Sequence, residues 1–405
     1  ETKTFDIAGE EMILEVSKTL WPEESLRERK DILNRISKFK SSEFDQPIPD
    51  EVRELNQVLR ELKLMDYDDL LLEAYSLLKE NAEVLEKVRG LYRYILVDEY
   101  QDINFIQHKL LTLLVGATGQ ISAIGDPNQA IYGFRGSNAS YFHQFVQDFP
   151  GAKILYLSDN YRCSQNILSA STQMMASAHN TYVPDLTAKI YAAGCLTVHE
   201  SATQKADAEY VVHQIEKLVG GTSMFSQATS RVDKDDLADV SFGDIAVLFR
   251  MKSLGLSLRE AFERSGIPYQ FSLTKSSDSL DDICPQRSYD VVMEAEKVSF
   301  MTLHASKGLE FPVVFIVGCE DNLLPLNLES LQAEQEEERR LFYVGMTRAK
   351  SRLYLTHAKK RVIFGRSMNN SLSPFVLDIK EELKEQSRQK FKKVKKKQED
   401  QMKLF

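Results

Sequence analysis

Seven short apolar runs dominate this chain from Tyr94 onward: "YILV", "ISAIG", "KILYL", "DIAVLFR", "VSFMTL", "FPVVFIVG" and "RLYLTHA". They end against Gly, Asp or Asn, and helical stretches separate them. Such runs suit parallel strands buried on both faces, so the fold class is α/β, in two sheets. The break between the sheets is expected near residues 175–205, where "SAHNTYVPDLTAK" interrupts the apolar pattern. Upstream the pattern differs. Leu26, Ile32, Leu33, Ile36 and Phe39, then Val52, Leu55, Val58, Leu59 and Leu62, recur at three- and four-residue steps and predict a helical subdomain over residues 1–92. Residues 93–180 then form the first α/β unit and 181–375 the second. Residues 376–405 read as a helix fraying into a basic tail. Two stretches, at 220–236 and 272–290, read as surface loops.

Composition narrows the function classes. The 405 residues are 43% hydrophobic and 27% charged, which is globular rather than disordered. No apolar run approaches the ~18 residues of a membrane span, and the start "ETKTFDIAGE" lacks an apolar signal region. It also lacks an initiator Met, which is compatible with a fragment or a processed chain. Cys163, Cys195, Cys284 and Cys319 lie far apart without CxxC spacing, so neither a zinc site nor a disulfide framework is suggested and a reducing cytoplasm is the expected setting. The net charge of −9 hides "RQKFKKVKKK" near the end and an acidic cluster over Glu334 to Glu338, so it neither supports nor excludes nucleic acid.

Chemistry enters at "ILVDEYQD", residues 95–102, where a strand runs into Asp98, Glu99 and Asp102. Three carboxylates this close repel one another unless a cation or a reacting group sits among them. A strand ending in Asp-Glu can present Mg²⁺ of a nucleotide and polarise a water. The plainer reading is a solvated turn with helix-capping acids. "AIGDPNQAIYGFRGS" (123–137) adds Gln129, able to sense a terminal phosphate, and Tyr132, Phe134 and Arg135, which suit stacking on unpaired bases or simply a core. "NYRC" sets Tyr161 beside Arg162, a ring and a fork that can cover a purine and reach a phosphate. "VSFMTLHASKGLEFPVVFIV" puts Thr302, His304, Ser306, Lys307, Gly308 and Glu310 between two strands, where backbone N–H groups can meet phosphate. His304 alone reads more readily as structural than catalytic. "EEERRLFYVGMTRAK" is a helix with acids first and Arg348 and Lys350 near its end, which dipole matching alone would explain.

No plain reading covers all five segments in this order. As a set, "VDEYQD", "GDPNQAIYGFRG", "NYRC", "TLHASKGLEF" and "EEERRLFYVGMTRAK" resemble the UvrD/Rep/PcrA-type superfamily 1 DNA helicases, over nearly the whole chain. The resemblance implies two RecA-like parallel-sheet motor domains, the first incomplete, with the helical subdomain as an accessory to the first. It implies that Asp98 ligates Mg²⁺, Glu99 is the general base, Gln129 contacts the terminal phosphate of ATP and Tyr161 stacks on adenine. Arg162 and Arg348 would converge on the γ-phosphate, with Gly308 and Glu310 on the nucleotide side. Tyr132, Phe134, Arg135, Thr302 and His304 would face single-stranded DNA, and the motor would move 3′ to 5′ from single-stranded DNA into junctions with duplex.

Departures qualify the resemblance. No GxxxxGK[ST] occurs, and "LVGATGQ" and "LVGGTS" lack the Lys that reaches phosphate, so the chain is expected to lack the phosphate-loop part of the first motor domain and to hydrolyse ATP poorly unaided. The large accessory insertion of the second motor domain is reduced to a short stretch near 272–297, and Phe134 stands where the family more often has Trp. A catalytically silent relative acting as a DNA-binding scaffold is the alternative, but it has no need of Glu99, Gln129, Arg162 and Arg348 together. The final "QMKLF" resembles peptides that dock on bacterial sliding clamps, with Gln401 as hydrogen-bonding group and Leu404 and Phe405 as anchors. A nucleoid-associated protein of the cytoplasm is implied.

Overall fold

The computed structural model describes residues 5–42, 47–116, 120–177, 185–190, 194–220, 240–271, 296–328 and 331–388. Both expected surface loops, the insertion near 272–297, and Gln401, Leu404 and Phe405 fall almost wholly or entirely outside them.

Helices α1 (Glu10–Leu20), α2 (Leu26–Lys40), α3 (Asp50–Glu61), α4 (Tyr67–Glu80) and α5 (Ala82–Leu91) make up the N-terminal part. Reciprocal capping boxes start two of them: Ser25 with Glu28 opens α2, and Asp66 with Asp69 opens α4. Ile32 and Ile36 of α2 meet Val52, Leu55 and Leu59 of α3 in a small core, as their spacing predicts. The buried ammonium of Lys40 lies 2.6 Å from Asp66 and 2.7 Å from Asp69, tying the end of α2 to the start of α4.

The chain then enters a parallel pair, Tyr94–Val97 with Gln120–Ala123, linked by α6 (Phe105–Val115) and followed by α7 (Ser140–Asp148). Here two expectations need correction. "KILYL" (153–157) forms no strand, and the strands of this pair are not buried on both faces: Leu96 is 81% and Leu155 86% exposed. A parallel strand is buried on both faces only within a wider sheet under helices on each side; among the described residues this pair has only each other as neighbours, and its Val97 and Ala123 cluster with Phe105, Leu111, Phe142 and Phe145 of α6 and α7.

The second sheet is parallel throughout, as expected, and buried on both faces at its centre. Seven parallel strands lie in the order 385–388, 195–201, 349–358, 311–317, 245–249, 298–302, 269–271. Ile245–Phe249 and Phe311–Val317 run through its centre with nearly every side chain buried, which is why these segments are apolar without alternation. Helix α8 (Gln165–Ala176) and α11 (Gln335–Met346) pack on one face, α9 (Gln204–Leu218) and α10 (Lys252–Ser265) on the other. Helix α8 precedes the boundary expected at 180, yet its Ile167, Leu168 and Met174 lie in the core of this sheet. The segment after 376 also differs from expectation: Glu385–Arg388 form an edge strand on Cys195–Ser201 rather than a fraying helix. No helix among the described residues is long and apolar enough to cross a membrane.

Candidate active site

The acid strand end meets the loops of the larger sheet through contacts of Lys307 and Arg348. At the end of Tyr94–Val97, Asp98 Oδ1 accepts the backbone N–H of Glu99 at 2.9 Å. Glu99 holds a left-handed backbone conformation, φ 52°, which is strained for a residue with a Cβ and is found where surroundings over-determine it. Gln101 donates its amide to the Glu99 carboxylate, and its oxygen accepts the Asp126 N–H at 3.0 Å, so the two strand ends of the first sheet are tied together. Burial drives the carboxyl of Asp126 up, although Gln129 Nε2 donates to it at 2.9 Å.

The cation that three neighbouring carboxylates require comes from the other half of the chain. Lys307 Nζ pairs with Asp102, lies 3.6 Å from Glu99 and donates to the Gln129 carbonyl at 2.9 Å. Burial raises the Asp102 carboxyl, with Lys307 opposing, and its other oxygen is buried without a partner. The same ammonium stands 5.1 Å above the ring of Tyr132. Sequence reasoning placed Lys307 in its loop but assigned it no part. The available signal was that it is the lone cation in a polar loop between two buried strands.

Arg348 follows the C-terminus of α11 and is 1% exposed. Its guanidinium donates to the carbonyls of Val344 (2.9 Å) and Leu309 (3.1 Å), to Thr347 Oγ1 (3.3 Å) and to Gln129 Oε1 (3.4 Å). Every hydrogen-bond partner is neutral, and the nearby carboxylates of Glu99 and Asp126 act on it only from a distance. No carboxylate among the described residues ion-pairs with it, and burial, with Arg162 nearby, pushes its pKa down to about 10. Arg162 is half exposed and pairs with Glu310 at 2.7 Å, where Lys350 also lies at 2.8 Å. These two contacts, Lys350 first, hold the Glu310 carboxyl below its usual range. The two arginines thus sit on the same site, but Arg162 is engaged by Glu310 rather than aimed freely. Gly308 takes φ 84° with open space around its Cβ position, so the turn needs glycine for its backbone, not for room. Tyr161 is exposed at the rim.

On the other flank, Phe134 is 39% exposed, 6.0 Å from Tyr132 and 6.0 Å edge-on to the buried His304. Thr302 ends its strand and caps the following turn by accepting the Ala305 N–H at 3.2 Å. Arg135 lies in the turn Gly133–Arg135; its side chain is outside the described residues. Two further residues, not singled out from sequence, hold this loop from α11. Glu337 accepts the Gly133 N–H at 3.2 Å, an approach a Cβ at Gly133 would block at 2.8 Å, and Arg340 donates to the Ala130 carbonyl at 2.8 Å.

Comparison with known proteins identifies the family. The model of the UvrD/REP helicase N-terminal domain matches residues 10–150, and that of the UvrD-like helicase C-terminal domain matches 155–278 and 273–360. The chain belongs to the UvrD/Rep helicase family. Among curated relatives, the ATP-dependent DNA helicase PcrA of Staphylococcus epidermidis is 26% identical over 79% of this chain and 62% of its own length. PcrA of Bacillus subtilis is 24% identical over 88% of this chain and 67% of its length. This UvrD/Rep-family chain therefore spans about two thirds of the curated relatives it matches. A solved C-terminal domain of a possible DNA helicase from Lactobacillus plantarum shares 18% identity, covers 56% of this chain and 98% of that domain, and superposes with a TM-score of 0.33.

Proposed function

We propose that this chain carries the nucleotide- and DNA-contacting parts of an ATP-driven motor that moves 3′ to 5′ on single-stranded DNA and opens junctions with duplex. The observation that carries the reading is Arg348: a buried guanidinium whose hydrogen-bond partners are all neutral, with the carboxylates of Glu99 and Asp126 near enough to act on it but in no ion pair with it. Buried charges are normally paired, so an anionic ligand is the missing partner, and a terminal phosphate fits the planar fork.

The donor set fits ATP with Mg²⁺. No group of three or more ligating side chains gathers among the described residues, so Asp98 would hold the cation jointly with phosphate oxygens. Bound ATP supplies the phosphoryl group and the free energy of its transfer to water. Glu99 accepts a proton from that water at its carboxylate, Gln129 senses the terminal phosphate, Arg348 and Arg162 stabilise its charge, and Tyr161 covers the adenine. Gly308 and Glu310 line the nucleotide side, while Tyr132, Phe134, Arg135, Thr302 and His304 face DNA. Arg162, paired with Glu310, exchanges that partner for the terminal phosphate when ATP binds. The sequence contains no GxxxxGK[ST] loop, so turnover by these 405 residues alone is expected to be slow. A cytoplasmic, nucleoid-associated setting and a clamp contact through Gln401, Leu404 and Phe405 complete the proposal.

Calorimetric titration with ATP and AMP tests the carrying observation. ATP should bind at least about tenfold tighter than AMP, because Arg348 reads the terminal phosphate. Equal affinities, or none, would remove the basis of the reading.

A further inference from the structure

A buried histidine stands behind the acid strand end, on the side away from Lys307. His108 of α6 stacks on Tyr141 of α7 with ring centroids 4.4 Å apart. Its Nδ1 lies 3.4 Å from the Tyr100 phenol oxygen and its Nε2 3.4 Å from Asp148 Oδ2, an oxygen buried without a hydrogen-bond partner among the described residues. Burial holds His108 below its ordinary range, with Asp148 opposing and Lys109 on its own helix adding to the effect, so the ring is neutral. Its one proton belongs on Nε2, toward the Asp148 carboxylate, which leaves Nδ1 as an acceptor. Burial, with Asp148 and Tyr141 nearby, pushes the Tyr100 phenol up to about 12, so it keeps its proton and donates. Tyr100 is fully buried, edge-on to Phe142 at 5.8 Å and to Phe145 at 5.2 Å, and it is the residue between Glu99 and Gln101.

From this arrangement we infer that His108 is a positioning residue for Glu99: by accepting the Tyr100 phenol it pegs the turn that aims the Glu99 carboxylate. The inference deepens the proposed function and rests on the place of Glu99 in it. Glu99 takes φ 52°, a conformation that persists only where its surroundings over-determine it. Backbone bonds tie the turn at both ends, Tyr100 N–H to the Ile124 carbonyl at 3.0 Å and Asp102 N–H to the Glu99 carbonyl at 2.9 Å. The rings around Tyr100 fill space without fixing how deep its side chain sits; a hydrogen bond at its tip does fix it, and with it the backbone beside Glu99. A histidine that only filled the core would act through its stack on Tyr141, which phenylalanine preserves. Asparagine gives up the ring but keeps an acceptor at the same remove from the backbone.

Hydrogen–deuterium exchange of the 405-residue chain, followed by mass spectrometry, reads the turn without any turnover. His108→Phe should speed exchange of the amides of residues 98–103 by at least about fivefold, while the buried strand Ile245–Phe249 is unchanged. His108→Asn should return the turn to within about twofold of the unaltered chain. Tyr100→Phe removes the same hydrogen bond from its other end, so it should match His108→Phe, and the double variant should exchange no faster than either; it also carries the test if His108→Phe does not fold. In a protein that includes a phosphate-binding loop, His108→Phe should lower kcat by at least about fivefold with KM for ATP within about twofold, and His108→Asn should recover most of the loss. Unchanged exchange in the variants that lack the bond would overturn the inference, and so would faster exchange with unchanged kcat where Glu99→Gln abolishes turnover. Near-normal turnover in Glu99→Gln would overturn the general-base reading and this inference with it.

Discussion

Replacing Arg348 by Met tests whether a buried arginine is structural or is waiting for a ligand. Among the described residues of the second unit, Arg348 and Arg361 are exposed by 2% or less and stand in opposite circumstances. Arg361 lies between Glu320 (2.6 Å) and Asp207 (2.8 Å), and these carboxylates hold its pKa above the ordinary value against burial. Arg348 hydrogen-bonds only neutral oxygens, with Glu99 and Asp126 acting on it from beyond ion-pair distance, and burial pushes it down from 12.5 to about 10. At about 1.4 kcal/mol per pH unit, that displacement is worth roughly 3 kcal/mol against folding at neutral pH. The hydrogen bonds to Val344, Leu309, Thr347 and Gln129 contribute about 0.5 to 1.5 kcal/mol each in the other direction. Together the four bonds come to about 2 to 6 kcal/mol, so most of that contribution is offset and Arg348→Met should lose less than about 3 kcal/mol in urea denaturation at pH 7 without nucleotide. Arg361→Met leaves two buried carboxylates unpaired and should lose about 3 to 5 kcal/mol. With ATP at a hundred times its dissociation constant for the unaltered chain, that chain should gain about 2.7 kcal/mol. Arg348→Met should gain less than about 1 kcal/mol under the same conditions. If Arg348→Met alone loses 3 kcal/mol or more without nucleotide, Arg348 is an internal structural ion and the phosphate argument fails.

Glu99→Gln, in a protein that includes a phosphate-binding loop, should lower ATP turnover by about 10² to 10⁴ while nucleotide and DNA binding persist, and near-normal steady-state ATPase would sink the general-base role. Phe134→Ala should weaken single-stranded DNA binding by about 1 to 3 kcal/mol at fixed salt with an unchanged melting temperature, because the ring is partly exposed; the opposite pattern would make it a core residue. His199, stacked 3.4 Å from Tyr210, is pushed down to about 4 by burial, so it stays neutral when folded. Unfolding lets it take a proton near its ordinary 6.5, so stability is full above that pH and declines toward pH 4 with a slope of up to about 1.4 kcal/mol per pH unit. His199→Phe should flatten that part of the curve in pH-dependent denaturation. A peptide covering residues 394–405 should bind a bacterial sliding clamp more tightly than its Leu404→Ala and Phe405→Ala forms; equal affinity would leave the tail as an electrostatic arm.

Local chemistry was legible in the sequence because it depends on near neighbours. Three- and four-residue apolar steps specify helices from within a turn, and continuous apolar runs such as Ile245–Phe249 specify strands that must be covered on both faces. The repulsion among Asp98, Glu99 and Asp102 announced that a cation belongs there. Which cation was a tertiary decision: Lys307 arrives from 205 positions beyond Asp102, and nothing in either segment encodes the other's place. Strand pairing has the same origin. Residues 195–201 lie between 385–388 and 349–358, an order that no run of residues carries by itself. "KILYL" has the composition of a buried strand and fails to become one, because a strand's stability lies in neighbours and covering helices that its own residues cannot supply. Arg348 makes the same point about charge. An arginine near a helix end is ordinary in sequence, and only folding buries it among neutral oxygens, where its charge calls for an anion.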